Sequence, residues 1–285
     1  MFGRLFGAKT PILDSLPEVR GKYIENAKLA KHTWFGVGGP AEVLFLPEDV
    51  DDLKTFLMRK PAAIPVTVIG GGSNLLIRDG GIPGVVVKLD APAFRQVKFD
   101  GAEVTVGAGL KNSDLKKALI DNGVGGLEFI CSVPGRIGGL LRTNAGCFGK
   151  TVSDVFVRAH IMNDWGQIYE TGAEDFNFSY RSSMFPENWI VLDATLKGVK
   201  AAPEEIRKTM DEQLAYRLAH QPINKKTAGS TFKNPEGLQA WKLIKEAGCA
   251  GLKVGGAEVS DMHCNFLINR GKATAEDIEE LGEMI

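Results

Sequence analysis

The sequence predicts an α+β chain built from three blocks. Short β-branched strands and amphipathic helices alternate irregularly, which does not support a doubly wound sheet. Half of the 34 glycines fall within residues 70–149 of the 285, between strands and not in a structureless tract. No G-x-G-x-x-G leads a strand into a helix: Val66–Ile69 runs into Gly70-Gly71-Gly72-Ser73-Asn74, and the apolar Leu75-Leu76-Ile77 that follows has no helical period.

The elements follow in order. Residues 1–30 read as a loosely held arm, and the first ten are too short and interrupted for a secretory leader. Ala41–Leu46 reads as a strand. Asp49–Lys60 reads as a helix, with Leu53, Phe56 and Leu57 on one face. Val66–Ile69 and Gly84–Leu89 read as strands, and Pro92 marks a change of block. In the second block Glu103–Val106 reads as a strand. The helix over 113–122 has Ser113 as its N-cap and Gly123 as its stop. Residues 124–150 read as turns and small residues, before strands at Val155–Met162 and Trp189–Leu196. In the third block Pro203, Glu204 and Glu205 open a helix that carries Ile206, Met210, Leu214 and Leu218 as a stripe to His220. A turn at 228–230, a helix over 238–247 that stops at Gly248, and a strand at Cys264–Ile268 follow. Thr274-Ala275-Glu276-Asp277 opens a last helix, with Ile278, Leu281 and Ile285 on one side.

Composition narrows the function. Charged residues are 24% and hydrophobic ones 44%, and the net charge is −1, so a broad nucleic-acid-binding surface is not expected. No apolar run approaches the length of a membrane span. The four cysteines form no C-x-x-C and read as reduced thiols of a cytoplasmic protein. The four histidines share no ligand spacing, so no metal site is expected.

Four motifs could carry chemistry. Gly70-Gly71-Gly72-Ser73-Asn74-Leu75 could cradle a pyrophosphate with convergent N–H groups, or form a plain turn. Cys131–Gly139 with Asn144-Ala145-Gly146 could lie flat against a planar ligand, or pack as an irregular loop. Tyr180-Arg181 could hold a carboxylate, or Arg181 could sit in a surface ion pair. In Lys225–Pro235, Gly229 leaves the Ser230 hydroxyl accessible for proton relay, for capping or for no role, and the lysines could meet phosphates or solvent. No G-x-S-x-G elbow supports a hydrolase.

Taken in order, these motifs resemble the bacterial UDP-N-acetylenolpyruvoylglucosamine reductases. The match runs from Thr33–Ala41 through Gly70–Leu75, Arg78–Gly81, Ser132–Gly139, Asn144–Gly146 and Tyr180–Ser182. It continues through Gln221-Pro222, Ala228–Pro235, Gly255–Ala257, Val259-Ser260 and His263–Asn269. The absence of a long insert after Ser183 places it with the shorter subtype. The resemblance implies a two-subdomain FAD-binding domain of vanillyl-alcohol-oxidase/PCMH type and a C-terminal α+β substrate-binding domain. The expected boundaries are 1–30 for the arm, 31–92 and 93–200 for the FAD-binding subdomains, and 201–285 for the substrate domain.

It implies FAD as cofactor, NADPH as hydride donor, and a UDP-sugar substrate. No nucleic acid, membrane or obligate protein partner is expected, and the chain is expected to be a cytoplasmic monomer. Gly70, Gly71, Gly72, Ser73, Asn74 and Leu75 would hold FAD, together with Ser132, Val133, Pro134, Gly135, Ile137, Gly138, Asn144, Ala145 and Gly146. Arg181 would hold the substrate carboxylate and oppose its developing charge, and Ser230 would give the proton. Tyr180, Lys233 and Asn234 would bind substrate. The family's third catalytic group is a glutamate in a strand-like motif beyond the last helix. These 285 residues stop before that motif, and neither Glu258 nor the glutamates of the last helix match it. A different FAD-linked oxidoreductase of the same flavin fold would lack the third-block motifs. A non-catalytic flavin-binding module would bind FAD without turnover.

Overall fold

The computed structural model describes residues 12–184, 186 and 188–285. The ten-residue start, and the beginning of the expected arm, lie outside the described residues.

The first unit is a four-stranded sheet. β1 (Lys22–Lys28) pairs antiparallel with β2 (Pro40–Leu46), so the later part of the stretch expected as an arm is an edge strand. Helix α1 (Val50–Arg59) leads to β3 (Val66–Ile69), and a loop leads on to β4 (Ile82–Lys88). The order is β1-β2-β4-β3, with β2, β4 and β3 parallel and Val85 opposite both Val43 and Val66. Val85, Val86 and Val87 are fully buried because apolar clusters cover both faces of this parallel section. Helix α1 starts where Asp49 accepts the Asp52 N–H at 2.9 Å, and it buries the expected Leu53, Phe56 and Leu57. The β3–β4 link carries the glycine loop at the carboxyl end of a parallel strand, where open sheets place ligands.

The second unit follows a 3₁₀ turn at Pro92–Phe94. It contains β5 (Val97–Asp100), β6 (Glu103–Gly107), α2 (Leu115–Asn122), β7 (Val124–Gly125), α3 (Glu128–Ser132) and α4 (Ile137–Arg142). Next come β8 (Gly146–Cys147), β9 (Lys150–Thr151), β10 (Phe156–Met162), β11 (Ile168–Thr171), α5 (Ala173–Phe176), β12 (Ile190–Lys197) and β13 (Val199–Lys200). Its antiparallel sheet has the order β11-β10-β12-β6-β5. Gly123 stops α2 in the left-handed conformation at φ +60°, as expected. Ser113 does not cap α2: a 3₁₀ turn over Asn112–Asp114 comes first, and the Ser113 hydroxyl donates to Asp114. The stretch expected to be turns contains two short helices. Five and six residues are too few to register as periodicity, and tertiary burial of Phe129, Ile130, Leu140 and Leu141 holds them.

Helix α6 (Pro203–His220) packs on α2 and α3 and shares the core of the second unit, although the sequence placed it in the third block; the third unit contains α7 (Ala240–Glu246), β14 (Lys253–Val254), β15 (Ala257–Val259), β16 (Leu267–Asn269) and α8 (Ala275–Met284). Pro203 opens α6 as expected, and Ile206 and Met210 are buried. Leu214 and Leu218 are instead exposed, because the second half of α6 leaves the core and runs along a cleft. The last strand sits later than Cys264–Ile268, although Cys264 and Phe266 are buried. A reciprocal capping box opens α8: Thr274 accepts the Asp277 N–H at 3.0 Å, and Asp277 accepts the Thr274 N–H at 2.9 Å.

The third unit borrows from the first. Phe35 and Val37, from the loop before β2, are buried in its core. Asn269 donates to the Phe35 carbonyl at 2.7 Å. Asp79, on the β3–β4 loop, accepts the N–H groups of Ala275 and Glu276 at 3.1 Å, at the start of α8. Arg78 grips Glu279 with paired hydrogen bonds.

Candidate active site

The units meet around a cleft of about 520 Å³. The glycine loop forms one wall. An added Cβ on Gly71 would stand 2.9 Å from the Gly135 Cα, and one on Gly72 would fall on the His32 carbonyl. Gly72 also has φ +66°. These two glycines permit close backbone packing, and the Gly72 carbonyl accepts the Trp34 N–H at 2.9 Å. Gly70 lines the cleft with only the Arg136 Cβ, at 4.0 Å, near its absent side chain. Among the described residues no backbone carbonyl accepts the N–H groups of Gly71, Gly72, Ser73 or Asn74. Successive free amides around a left-handed glycine make an anion-binding concavity. Gly72→Ala is expected to destabilise the protein by roughly 3 kcal/mol through left-handed strain and the carbonyl clash. A thermal melt that shows an unshifted Tm would refute that packing.

A second cleft, of about 500 Å³, shares Gly71, Pro134, Gly135 and Arg136 with the first. Two compartments meeting at a glycine-built anion site match a dinucleotide, with one mononucleotide half in each. The second cleft carries Lys31, Lys88, Lys111 and Arg136. Lys88 is nearly buried and donates to His32 Nδ1 at 3.0 Å, which requires a neutral imidazole. Burial lowers the pKa of both groups, with the Lys88 charge adding to the effect on His32. The donor set therefore fits a phosphate-bearing dinucleotide.

Ser132 to Gly135 face the first cleft, as do Ala145 and Gly146. Ser73 Oγ donates to the Pro134 carbonyl at 2.9 Å and ties this segment to the glycine loop. Gly139, the last residue of the second motif but not among the residues expected to hold FAD, lines the cleft with nothing within 4 Å of its absent side chain. Ile137, Gly138 and Asn144 do not line it. Ile137 is buried in the core, and Gly138 donates its N–H to the Ala108 carbonyl at 3.0 Å. Asn144 braces the backbone of Ser179 and Ser153, at 3.1 Å each.

Arg181 and Ser230 reach the cleft from different units. Arg181 sits in a tight turn at φ +59°, an uncommon conformation for a side-chain-bearing residue, and donates to Asn74 Oδ1 at 3.3 Å. Among the described residues it forms no ion pair, which leaves its guanidinium able to take the carboxylate of a ligand. Ser230 stands exposed on the facing rim, after Gly229 at φ +83°. Asn265 holds this strand: its carbonyl accepts the Thr231 N–H and its side chain clamps Phe232, at 2.8–2.9 Å. Tyr180 Oη accepts the Asn234 N–H at 3.2 Å, which links the two units beside the cleft. Lys233 is exposed next to it. Glu258 lies buried with Arg270, 2.7 Å away, and Lys253, and plays a structural part.

The sequence alone missed the contribution of α6. Tyr216, Arg217 and, past the helix end, Gln221 line the cleft. Arg217 donates to Gln221 at 2.8 Å and to the Ser132 carbonyl. Burial lowers its pKa from a value so high that it stays charged. Two apolar residues at helical spacing, Leu214 and Leu218, disguised this face. Phe148 was missed as well. It and Gly149 form the two-residue turn between β8 and β9, with φ +54° and +75°. That turn favours Asn or Gly, and left-handed φ costs a phenylalanine about 1–2 kcal/mol.

Comparison with known proteins follows the same division. An FAD-binding domain family model matches residues 41–172. The C-terminal domain of UDP-N-acetylenolpyruvoylglucosamine reductase matches residues 221–285. The UDP-N-acetylenolpyruvoylglucosamine reductase of Paramagnetospirillum magneticum is 50% identical over 95% of this chain and 88% of its own. That of Bradyrhizobium sp. is 48% identical over 97% of this chain and 90% of its own. The crystal structure of the Thermus caldophilus enzyme superposes with a TM-score of 0.83 at 35% identity, covering 94% of each chain. Glucooligosaccharide oxidase from Acremonium strictum, at 14% identity, covers 67% of this chain and 43% of its own with a TM-score of 0.50, a likeness of fold alone.

Proposed function

The chain belongs to the UDP-N-acetylenolpyruvoylglucosamine reductase family, and from that premise we propose how its residues carry the reaction. It is an FAD-dependent oxidoreductase that uses NADPH to reduce UDP-N-acetylglucosamine enolpyruvate to UDP-N-acetylmuramate, in peptidoglycan precursor synthesis. One observation carries the assignment of roles: Arg181 and Ser230 line one cleft with the glycine loop. When bound, FAD supplies the hydride, drawn from NADPH, that reaches C3 of the enolpyruvyl group.

The free amides of Gly71 to Asn74 take the cofactor's pyrophosphate, and Ser132–Gly135 with Ala145 and Gly146 form the wall for its ring. Arg181 holds the substrate carboxylate. Hydride addition at C3 places negative charge on C2 and the carboxylate, and the guanidinium opposes that charge where it develops. Ser230 gives its hydroxyl proton to C2. A serine hydroxyl is a weak acid, and the strongly basic enolate is the kind of partner it can protonate. Tyr180, Asn234 and Lys233 lie beside the cleft and receive the sugar nucleotide.

The four- and five-stranded sheets support an FAD-binding pair divided near residue 92, as expected for 31–92 and 93–200, and the three-stranded sheet supports a separate substrate unit within the expected 201–285; β1 and α6 lie with the FAD-binding pair, beyond its expected bounds. No helix among the described residues is long and apolar enough to cross a membrane. The use of NADPH supports a cytoplasmic location.

Purified protein should be yellow, its colour should bleach with NADPH, and it should recover on addition of the enolpyruvyl substrate. Colourless protein that takes up no FAD would overturn the assignment. Bleaching without substrate-driven recovery would leave a flavoprotein of other specificity.

A further inference from the structure

The mouth of the cleft carries an aromatic array that no role above uses. Phe148 and Tyr216 both line the cleft, are 41% and 54% exposed, and meet edge to face at 5.9 Å. His220 stacks on Tyr216 at 4.2 Å and 22°, held by its Nδ1–H, which donates to the Tyr216 carbonyl at 2.7 Å.

Two observations separate this array from idle surface. Scattered exposed apolar side chains are ordinary, but here rings from a hairpin tip and a helix converge at a cleft rim. In addition, the hairpin holds Phe148 in a left-handed conformation that an asparagine would adopt with less strain. The backbone there does not favour a phenyl ring, and strain of this kind gathers where a side chain serves a ligand. Arg217, one residue along, brings a buried guanidinium into the same cleft with no carboxylate paired to it among the described residues.

Half-exposed rings beside a guanidinium that no carboxylate among the described residues neutralises suit a nucleoside diphosphate, with stacking for the base and charge for the phosphates. We propose that the Phe148–Tyr216 ledge is a nucleobase-stacking subsite, with Arg217 facing the adjoining diphosphate. The ledge's role rests on the cleft being the reductase site. Two nucleotides enter that site, the uridine diphosphate of the sugar nucleotide and the adenosine diphosphate half of NADPH, and they share this chemistry.

The test is titration calorimetry of FAD-loaded protein with UDP and, separately, with ADP. Phe148→Asn should keep its FAD and raise or hold Tm, yet weaken nucleotide binding by about 5- to 100-fold, the range for one lost base–aromatic stack. Phe148→Tyr should bind as the wild type does, and Tyr216→Ala should weaken the same nucleotide as Phe148→Asn. Loss confined to UDP assigns the ledge to uracil, loss confined to ADP assigns it to adenine, and loss of both makes it shared. Unchanged affinity for both nucleotides in Phe148→Asn would overturn the proposal, as would loss of FAD from that variant, which would give the ring to the cofactor. A wild-type holoprotein that binds neither nucleotide would overturn the reading of the cleft itself.

Discussion

Ser230→Ala is expected to leave bleaching of the bound flavin by NADPH intact while reoxidation by the enolpyruvyl substrate slows by ~10²-fold or more. The split follows from position. Ser230 stands exposed on the rim contributed by the third unit, and its hydroxyl makes no hydrogen bond among the described residues. Hydride arrival from NADPH transfers no proton to C2, so that half-reaction has no use for the hydroxyl. Asn265 fixes the strand through the backbone and Phe232, so alanine removes the proton without moving the rim. Stopped-flow absorbance separates the two half-reactions. Equal slowing of both would mean that the substitution disturbs the cleft as a whole, and unchanged reoxidation would remove Ser230 from the mechanism.

Arg181→Ala is expected to lower kcat/KM by ~10²- to 10³-fold, with KM raised and kcat reduced together. The guanidinium is asked both to bind a ground-state carboxylate and to stabilise charge that grows as C3 accepts hydride. Its backbone supplies a control. Arg181 sits at φ +59°, so Arg181→Gly removes strain as well as charge. That variant should melt no lower than the wild type while losing activity as alanine does. Steady-state kinetics beside a thermal melt would show it. Normal kinetics in either variant would return Arg181 to a structural part in the Ser179–Ser182 turn.

Features with local chemistry were legible in the sequence. Asp49 and Thr274 announce helix starts through their caps, and Gly123 announces a stop, because each acts on neighbours within a few residues. The glycine loop, Arg181 and Ser230 were legible as motifs, and the fold brings all three to one cleft. β1 was not legible because its pattern Lys-Tyr-Ile-Glu-Asn-Ala-Lys buries only Ala27, so an edge strand exists without an apolar signature. The helices α3 and α4 are shorter than the period needed to detect them. Arg217 and Phe148 were missed for another reason. Each matters through what stands opposite it in space, and neither a helical stripe nor a hairpin turn reports its distant partner.

The loop that buries Phe35 and Val37 in the third unit also sets an order of events. A core that includes residues from the beginning of the chain and from Ala257 to Leu281 closes only after nearly the whole chain exists. The intervening span is long, and closing it draws on loop entropy before any contact is formed. During synthesis the first two sheets can assemble while the loop before β2 waits, its two apolar side chains unsheltered. The substrate unit is therefore a late arrival whose completion is coupled to the flavin half. Assembly of the two halves and assembly of the cleft between them become one cooperative step, so a chain that has folded the third unit has also brought Ser230 to face the glycine loop.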